Sequence, residues 1–195
     1  NIDWKNNPTT FDYKISSNTK QKTLTIGLVK EFGIYNKSKY VRRTVNIDRS
    51  SYITDDLRHI RNSVFKQEEL FLKTLVEGKA NLFYFEEGNL RRFFFNISNS
   101  NIEQLVYKKY KKDNAQVGTN NMYKQQLKNT LICNVITEKN IKNLHYQKAK
   151  LISLFIKYNE CNNNTYTSFV RKKEKGQFNL SIRPGLNNSS LTIQN

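Results

Sequence analysis

The chain has 195 residues, of which 37% are hydrophobic and 12% aromatic, and 33 Lys and Arg against 16 Asp and Glu give it a formal charge of +17. That length supports one good core, or a larger and a smaller one side by side, and no apolar run approaches the roughly 20 residues that a membrane-spanning helix needs. So large an excess of positive charge would attract nucleic acid, anionic lipid or acidic polysaccharide, but Arg42-Arg43, Arg91-Arg92, Lys108-Lys109 with Lys111-Lys112, and Arg171-Lys172-Lys173 lie far apart in the chain.

Asn1 rather than Met opens the sequence, and Ile2-Asp3-Trp4 reads as the end of a strand, so a segment of a longer protein is expected. No signal peptide is visible, which a missing start makes uninformative. Asn6-Asn7-Pro8 is a turn, because proline fixes its own φ and pushes the residue before it out of the helical region. Phe11, Tyr13 and Ile15 alternate with polar residues, the period of a half-buried strand. Leu24, Ile26 and Leu28 are expected on one face of the next strand, followed by a strand over 32–35. A further one over 40–48 places Tyr40, Arg42, Thr44 and Asn46 on one side and Val41, Arg43, Val45 and Ile47 on the other.

Residues 49–67 break this rhythm and read as a long loop or one weak helix. Long loops in compact domains are often functional, which makes Asp55, Asp56, Arg58 and His59 a candidate functional loop beside the plainer reading of a solvated excursion. Residues 70–110 then hold the organising stretch. Short runs rich in β-branched and aromatic residues are interrupted by Glu77-Gly78-Lys79 and by Glu86-Glu87-Gly88-Asn89, which are turn chemistry. The pattern predicts a three-strand meander, with 105–110 as a fourth strand or a connection.

From 113 to 119 the chain reads as a hydrophilic linker, after which the period lengthens to that of a helix. Asn120 or Asn121 can cap a helix carrying Tyr123, Leu127 and Leu131 and ending near Cys133; Thr137 can cap a short second helix with Ile141 and Leu144 inward. A third, over 147–160, is apolar on most sides and must be covered on both. After a polar stretch, Phe178, Leu180 and Ile182 alternate again. The expected fold is α+β: an antiparallel meander of about six to eight strands over 1–112, a three-helix segment over 113–165, and a linker with a short strand over 166–195.

Cys133 and Cys161 are too far apart in sequence for a zinc knuckle, and only His59 and His145 could complete a metal site. Three helices running up, down and up would bring both cysteines to the same end, where a bridge would contribute roughly 3.5 kcal/mol; two buried thiols in a reducing compartment are the alternative. The phosphate-cradling glycine loop, HExxH, GxSxG and the Asp-rich calcium loop are all missing from the sequence. No catalytic residue, metal site or cofactor is expected. Glu68-Glu69 and Glu86-Glu87 are neighbours on strands or turns and so point apart, against paired-carboxylate hydrolysis.

Phe83, Tyr84, Phe85, Phe93, Phe94 and Phe95 beside Arg91 and Arg92 admit two readings. One is a stacking platform for a single strand; the other, which consecutive aromatics on paired strands favour, is a sheet covered on both faces. Adjacent strand residues point to opposite faces, so each Arg pair lends one charge to any face. Arg91, Arg92, Lys108, Lys109, Lys111 and Lys112 are the candidate contacts for a polyanion, with nucleic acid the less favoured ligand.

Several segments, among them Trp4-Lys5-Asn6-Asn7-Pro8, Val76-Glu77-Gly78-Lys79-Ala80, Leu105-Val106-Tyr107-Lys108-Lys109-Tyr110, Tyr123-Lys124-Gln125-Gln126-Leu127 and Tyr158-Asn159-Glu160-Cys161, together resemble an uncharacterised family of exported flavobacterial proteins. Members of that family have an extracytoplasmic β-rich domain and a Cys-containing helical segment before an outer-membrane β-barrel, whose opening Phe178-Asn179-Leu180-Ser181-Ile182-Arg183-Pro184-Gly185 resembles. The resemblance implies export, an oxidising compartment and a bridged cysteine pair. It implies a non-enzymatic envelope module at the outer membrane, in the periplasm or on the cell surface, whose partner is another envelope protein or the barrel downstream. A polyanion-binding module and, last, a hydrolase with its site in 49–67 are the other classes to test.

Overall fold

The computed structural model describes residues 7–14, 16, 18–35, 37–113, 116–161 and 163–169. The expected strand ends at 2–4 and 178–182, with the segment resembling a barrel opening, lie outside them. Strands β1 (Thr10–Tyr13) and β2 (Lys22–Thr25) form a separate antiparallel hairpin. The main sheet is built from β3 (Glu31–Ile34), β4 (Ser38–Asp48), β5 (Phe65–Glu77), β6 (Ala80–Glu87), β7 (Leu90–Ile97) and β8 (Glu103–Gln104), neighbours in that order and antiparallel throughout. A seventh strand, β11 (Thr167–Ser168), pairs with the end of β5.

The meander follows its turn chemistry. Gly88 sits at φ 56° between β6 and β7, a left-handed conformation that glycine adopts without a Cβ clash. The pairing it sets aligns Leu82 with Phe95, Phe83 with Phe94 and Tyr84 with Phe93, so alternate aromatics go to opposite faces. Both faces are buried. Leu82, Tyr84, Phe93 and Phe95 join one core with the helices, while Phe83, Phe85 and Phe94 join Val41, Val45, Ile47 and Leu72 in a second. The aromatic run is therefore sheet core, and the stacking-platform reading is set aside. On the second face, Gln104 of β8 accepts a hydrogen bond from the Asp48 amide at the end of β4, 2.9 Å away, so the sheet curls around that cluster.

The helices are α1 (Met122–Thr130), α2 (Glu138–Lys142) and α3 (Lys148–Cys161). Tyr123, Leu127 and Leu131 are buried as their spacing predicts, although α1 ends before Leu131. Thr137 caps α2 in a reciprocal pair with Asn140, which satisfies two backbone donors at once. Leu151, Leu154, Phe155 and Tyr158 of α3 lie in the core shared with the sheet. Asn159, fully buried, donates to the Ala80 carbonyl (3.0 Å) and accepts from the Ala80 amide (2.9 Å). Gly78 makes room for it: a Cβ there would lie 2.9 Å from the Asn159 carboxamide. Cys133 and Cys161 form a disulfide with Cα atoms 6.5 Å apart, tying the segment after α1 to the end of α3.

Three expectations are corrected. Ile26–Leu28 is a 3-10 turn with Leu28 72% exposed, because Arg42 draws the carbonyls of Ile26 and Gly27 onto its guanidinium (2.9 and 2.7 Å). Residues 113–119 are more than a linker: β9 (Lys108–Lys111) and β10 (Val117–Asn120) form a hairpin across that segment. The expected division at 112/113 falls inside this hairpin, and the helices share one core with the sheet. Residues 49–64 contain only a 3-10 turn at Thr54–Asp56, and β5 begins at Phe65, before the expected end of the excursion.

Candidate functional site

The excursion 49–64 folds back over one end of the curled sheet and meets β9. Asp48 ends β4 and forms an Asx turn, its carboxylate accepting from the Ser50 amide at 2.7 Å. It also accepts from the Val64 amide at 3.1 Å and faces the Lys108 ammonium at 3.5 Å. One carboxylate thus ties together both ends of the excursion and β9. Burial pushes the Asp48 carboxyl up, but the Ser50 hydrogen bonds and the Lys108 charge outweigh it and hold the group below the ordinary carboxylate range.

Arg92 fixes the start of the excursion. Only 1% exposed, it donates to the carbonyls of Asp48 (2.7 Å), Ser50 (2.5 Å) and Arg91 (3.0 Å), and its guanidinium lies 4.5 Å over the Tyr52 ring. Tyr52 donates to the Tyr107 carbonyl at 3.2 Å, and burial pushes its phenol up to about 12. Tyr107 stacks on Tyr146 at 4.7 Å, and the Tyr146 hydroxyl donates to the Leu105 carbonyl. The excursion is thereby anchored on aromatic rings continuous with the helical core. At its rim Arg49 forks onto Glu68 (2.9 and 2.7 Å), reaches Glu87 and lies 5.5 Å from the Phe85 ring centre.

Between these walls is a cleft of about 350 Å³, lined by Asp48, Arg49, Asp56, Arg58, Lys108 and Lys109, with Ser50, Ser51 and Val64 completing it. Two groups of residues that sequence reading kept apart, the loop candidates and the basic run, meet here. Asp56 and Arg58 line the cleft, and Asp56 accepts from the Ser51 hydroxyl at 3.2 Å. Asp55 contributes only its carbonyl, which accepts from the Lys111 ammonium at 3.2 Å, while the Arg58 carbonyl accepts the Lys111 amide at 2.9 Å. His59 is exposed and outside the lining.

Of the six polyanion candidates, two are corrected. Arg92 and Lys108 are 1% and 3% exposed. Their donors are committed to backbone carbonyls, including that of Asn62 at 2.8 Å from Lys108, and to Asp48; a buried charge needs such partners and is not free for a polymer in solution. Arg91 is exposed but paired with Glu86 at 3.0 Å. Lys109 reaches the cleft, Lys111 braces the excursion, and Lys112 is exposed beyond it.

Sequence reading missed Asp48, Arg49, Ser50 and Ser51. The signal available was Asp-x-Ser at the end of an alternating strand, which is Asx-turn chemistry. The arrangement suits holding an anion through Arg58 and Lys109, beside Ser50 and Ser51, since Lys108 is committed to Asp48 and Asn62 and Arg49 to Glu68 and Glu87. Among the described residues no three His, Cys, Asp or Glu side chains group closely enough to hold a metal ion, and no helix is long and apolar enough to cross a membrane. No family model matches the chain, and no curated protein and no solved structure matches it either.

Proposed function

We propose that the protein is a non-enzymatic extracytoplasmic module of the cell envelope, acting by binding another envelope component. The Cys133–Cys161 disulfide carries this reading, because structural disulfides persist in oxidising compartments and are rare in reducing ones. The resemblance to exported flavobacterial proteins supports the same reading and adds the outer membrane as the address. The partner is then a neighbouring envelope protein or a β-barrel following in the same chain. Alkylating native material before and after reduction tests it. A bridged pair in protein taken directly from cells is expected; two thiols free without reductant would remove the reading's support.

A second reading is favoured by the cleft. Arg58 and Lys109 face it without an ion-pair partner among the described residues, so it would hold one anionic group of a polyanion such as an acidic polysaccharide. Retention on heparin over a salt series is the measurement. A steep loss of retention with salt, softened by Arg58→Ala with Lys109→Ala, is expected. A shallow slope, or one the two substitutions leave alone, dismisses it.

A further inference from the structure

A second concavity, away from the cleft, lies on the curled face of the sheet. It measures about 470 Å³ and is walled by β4, β5, β6 and β7 and by the 98–102 loop. Its chemistry differs from that of the cleft. The walls present the carboxamides of Asn81, Asn96, Asn99 and Asn101 and the hydroxyl of Ser98, groups that both donate and accept hydrogen bonds. The floor is apolar, from Val41, Phe83 and Ile102.

Part of this wall is fixed in place. Asn81 accepts from the Gly78 amide at 3.0 Å and donates to Asn96 at 2.9 Å, and Asn96 donates to the carbonyls of Ser98 and Ser100 at 3.0 Å each. These bonds hold the 98–102 loop over the strands, so the amides are pre-organised. The Asn99 and Asn101 side chains, by contrast, have no hydrogen-bond partner among the described residues. Thr74, 1% exposed at the back of the wall, has a hydroxyl without a partner among them.

Charge narrows the class of ligand. Lys39 is neutralised by Glu77 at 2.7 Å and Glu31 at 3.7 Å. Arg43 is exposed, gives one donor to the Arg42 carbonyl, and has no carboxylate partner among the described residues. A patch offering closely spaced donor–acceptor groups, an apolar floor and one uncompensated guanidinium matches a ligand with many hydroxyls, C–H faces and a carboxylate. We propose that this cup binds an acidic oligosaccharide, Arg43 taking a uronate carboxylate and the Asn99 and Asn101 amides its ring hydroxyls. The proposal rests on the binding-module reading and names the ligand class.

The test is a titration of the oxidised, isotope-labelled chain with tri-galacturonate, followed by amide chemical shifts, at salt high enough to screen loose attraction to the +17 surface. Shifts are expected at Thr74, Asn96 and through 98–102, with binding about tenfold weaker in Arg43→Ala and unchanged in Lys150→Ala, an exposed position on α3 outside both concavities. Neutral maltotriose is expected to bind at least tenfold more weakly. Shifts confined to the cleft, equal binding of maltotriose, no binding, or an unaffected Arg43→Ala would each overturn the proposal. Thiol counting in the native source tests the extracytoplasmic reading separately, so failure of the cup and failure of that reading are distinguishable.

Discussion

The two coverings of the central sheet are built on different physics. The helical covering is apolar, with Leu82, Tyr84, Phe93 and Phe95 against Leu151, Leu154, Phe155 and Tyr158, and a covalent bridge closes it. The excursion over the sheet's end is held by charge and backbone hydrogen bonds, with Asp48 joining Ser50, Val64 and Lys108, and with Arg92 holding three carbonyls. Apolar burial has no charge to titrate or to screen, whereas a buried ionic network depends on every member keeping its charge. The helical side is thus expected to persist, and the excursion, which forms the cleft, to loosen first on acidification.

The contrast can be broken most directly at Lys108. Replacing it with Met leaves the Asp48 carboxylate buried without its cation, and removing one partner of such a pair costs about 4 kcal/mol. Denaturant unfolding should show that loss, and hydrogen exchange should show it concentrated in 49–64. Cys133→Ser with Cys161→Ser comes next, at roughly 3.5 kcal/mol from loop-closure entropy, measured the same way but with early exchange in α1 and α3. Asn159→Ala leaves the buried amide and carbonyl of Ala80 unpaired, at about 2 kcal/mol, again on the helical side.

Acid is expected to act on the excursion and to spare the helical side. The Asp48 and Glu68 carboxyls are both held low in the folded protein, Asp48 against its burial by Ser50 and Lys108, Glu68 by the Arg49 fork. A folded pKa below the unfolded one contributes stability that is present above the ordinary carboxylate range and lost as pH falls through the folded value. Protection of the Ser50 and Val64 amides should therefore fall between about pH 5 and pH 2, while that of the Ala80 amide, bonded to Asn159, persists. Equal loss at both would abolish the distinction. The smallest effect is expected from Thr137→Ala, about 1 kcal/mol from losing the α2 cap, visible as a small shift in the unfolding midpoint.

Local chemistry carried most of the architecture. Alternation fixed the two faces of β6 and β7, the Glu-Gly turn residues fixed their hairpins, and four-residue spacing fixed the buried side of α1, because each depends only on the period of the backbone and the conformational range of a few residues. The cysteine pairing was legible as one of two alternatives, and packing chose between them. Where the chain deviated, hydrogen bonds that the hydrophobic period does not record were responsible: Arg42 holds the carbonyls of Ile26 and Gly27 in a turn, and β10 pairs with β9 across an expected linker.

Sequence alone determined that this is an antiparallel sheet buried on both faces and followed by three short helices, since hydrophobic period and turn residues act over a few positions. It could not determine which of many cations are surface and which are structural. Lys108 and Lys109 are adjacent, identical in type and both at the cleft, yet one is sealed against Asp48 and the other has no ion-pair partner among the described residues. Only tertiary structure decides that, because burying a charge depends on partners brought from remote parts of the chain, and no local pattern records them.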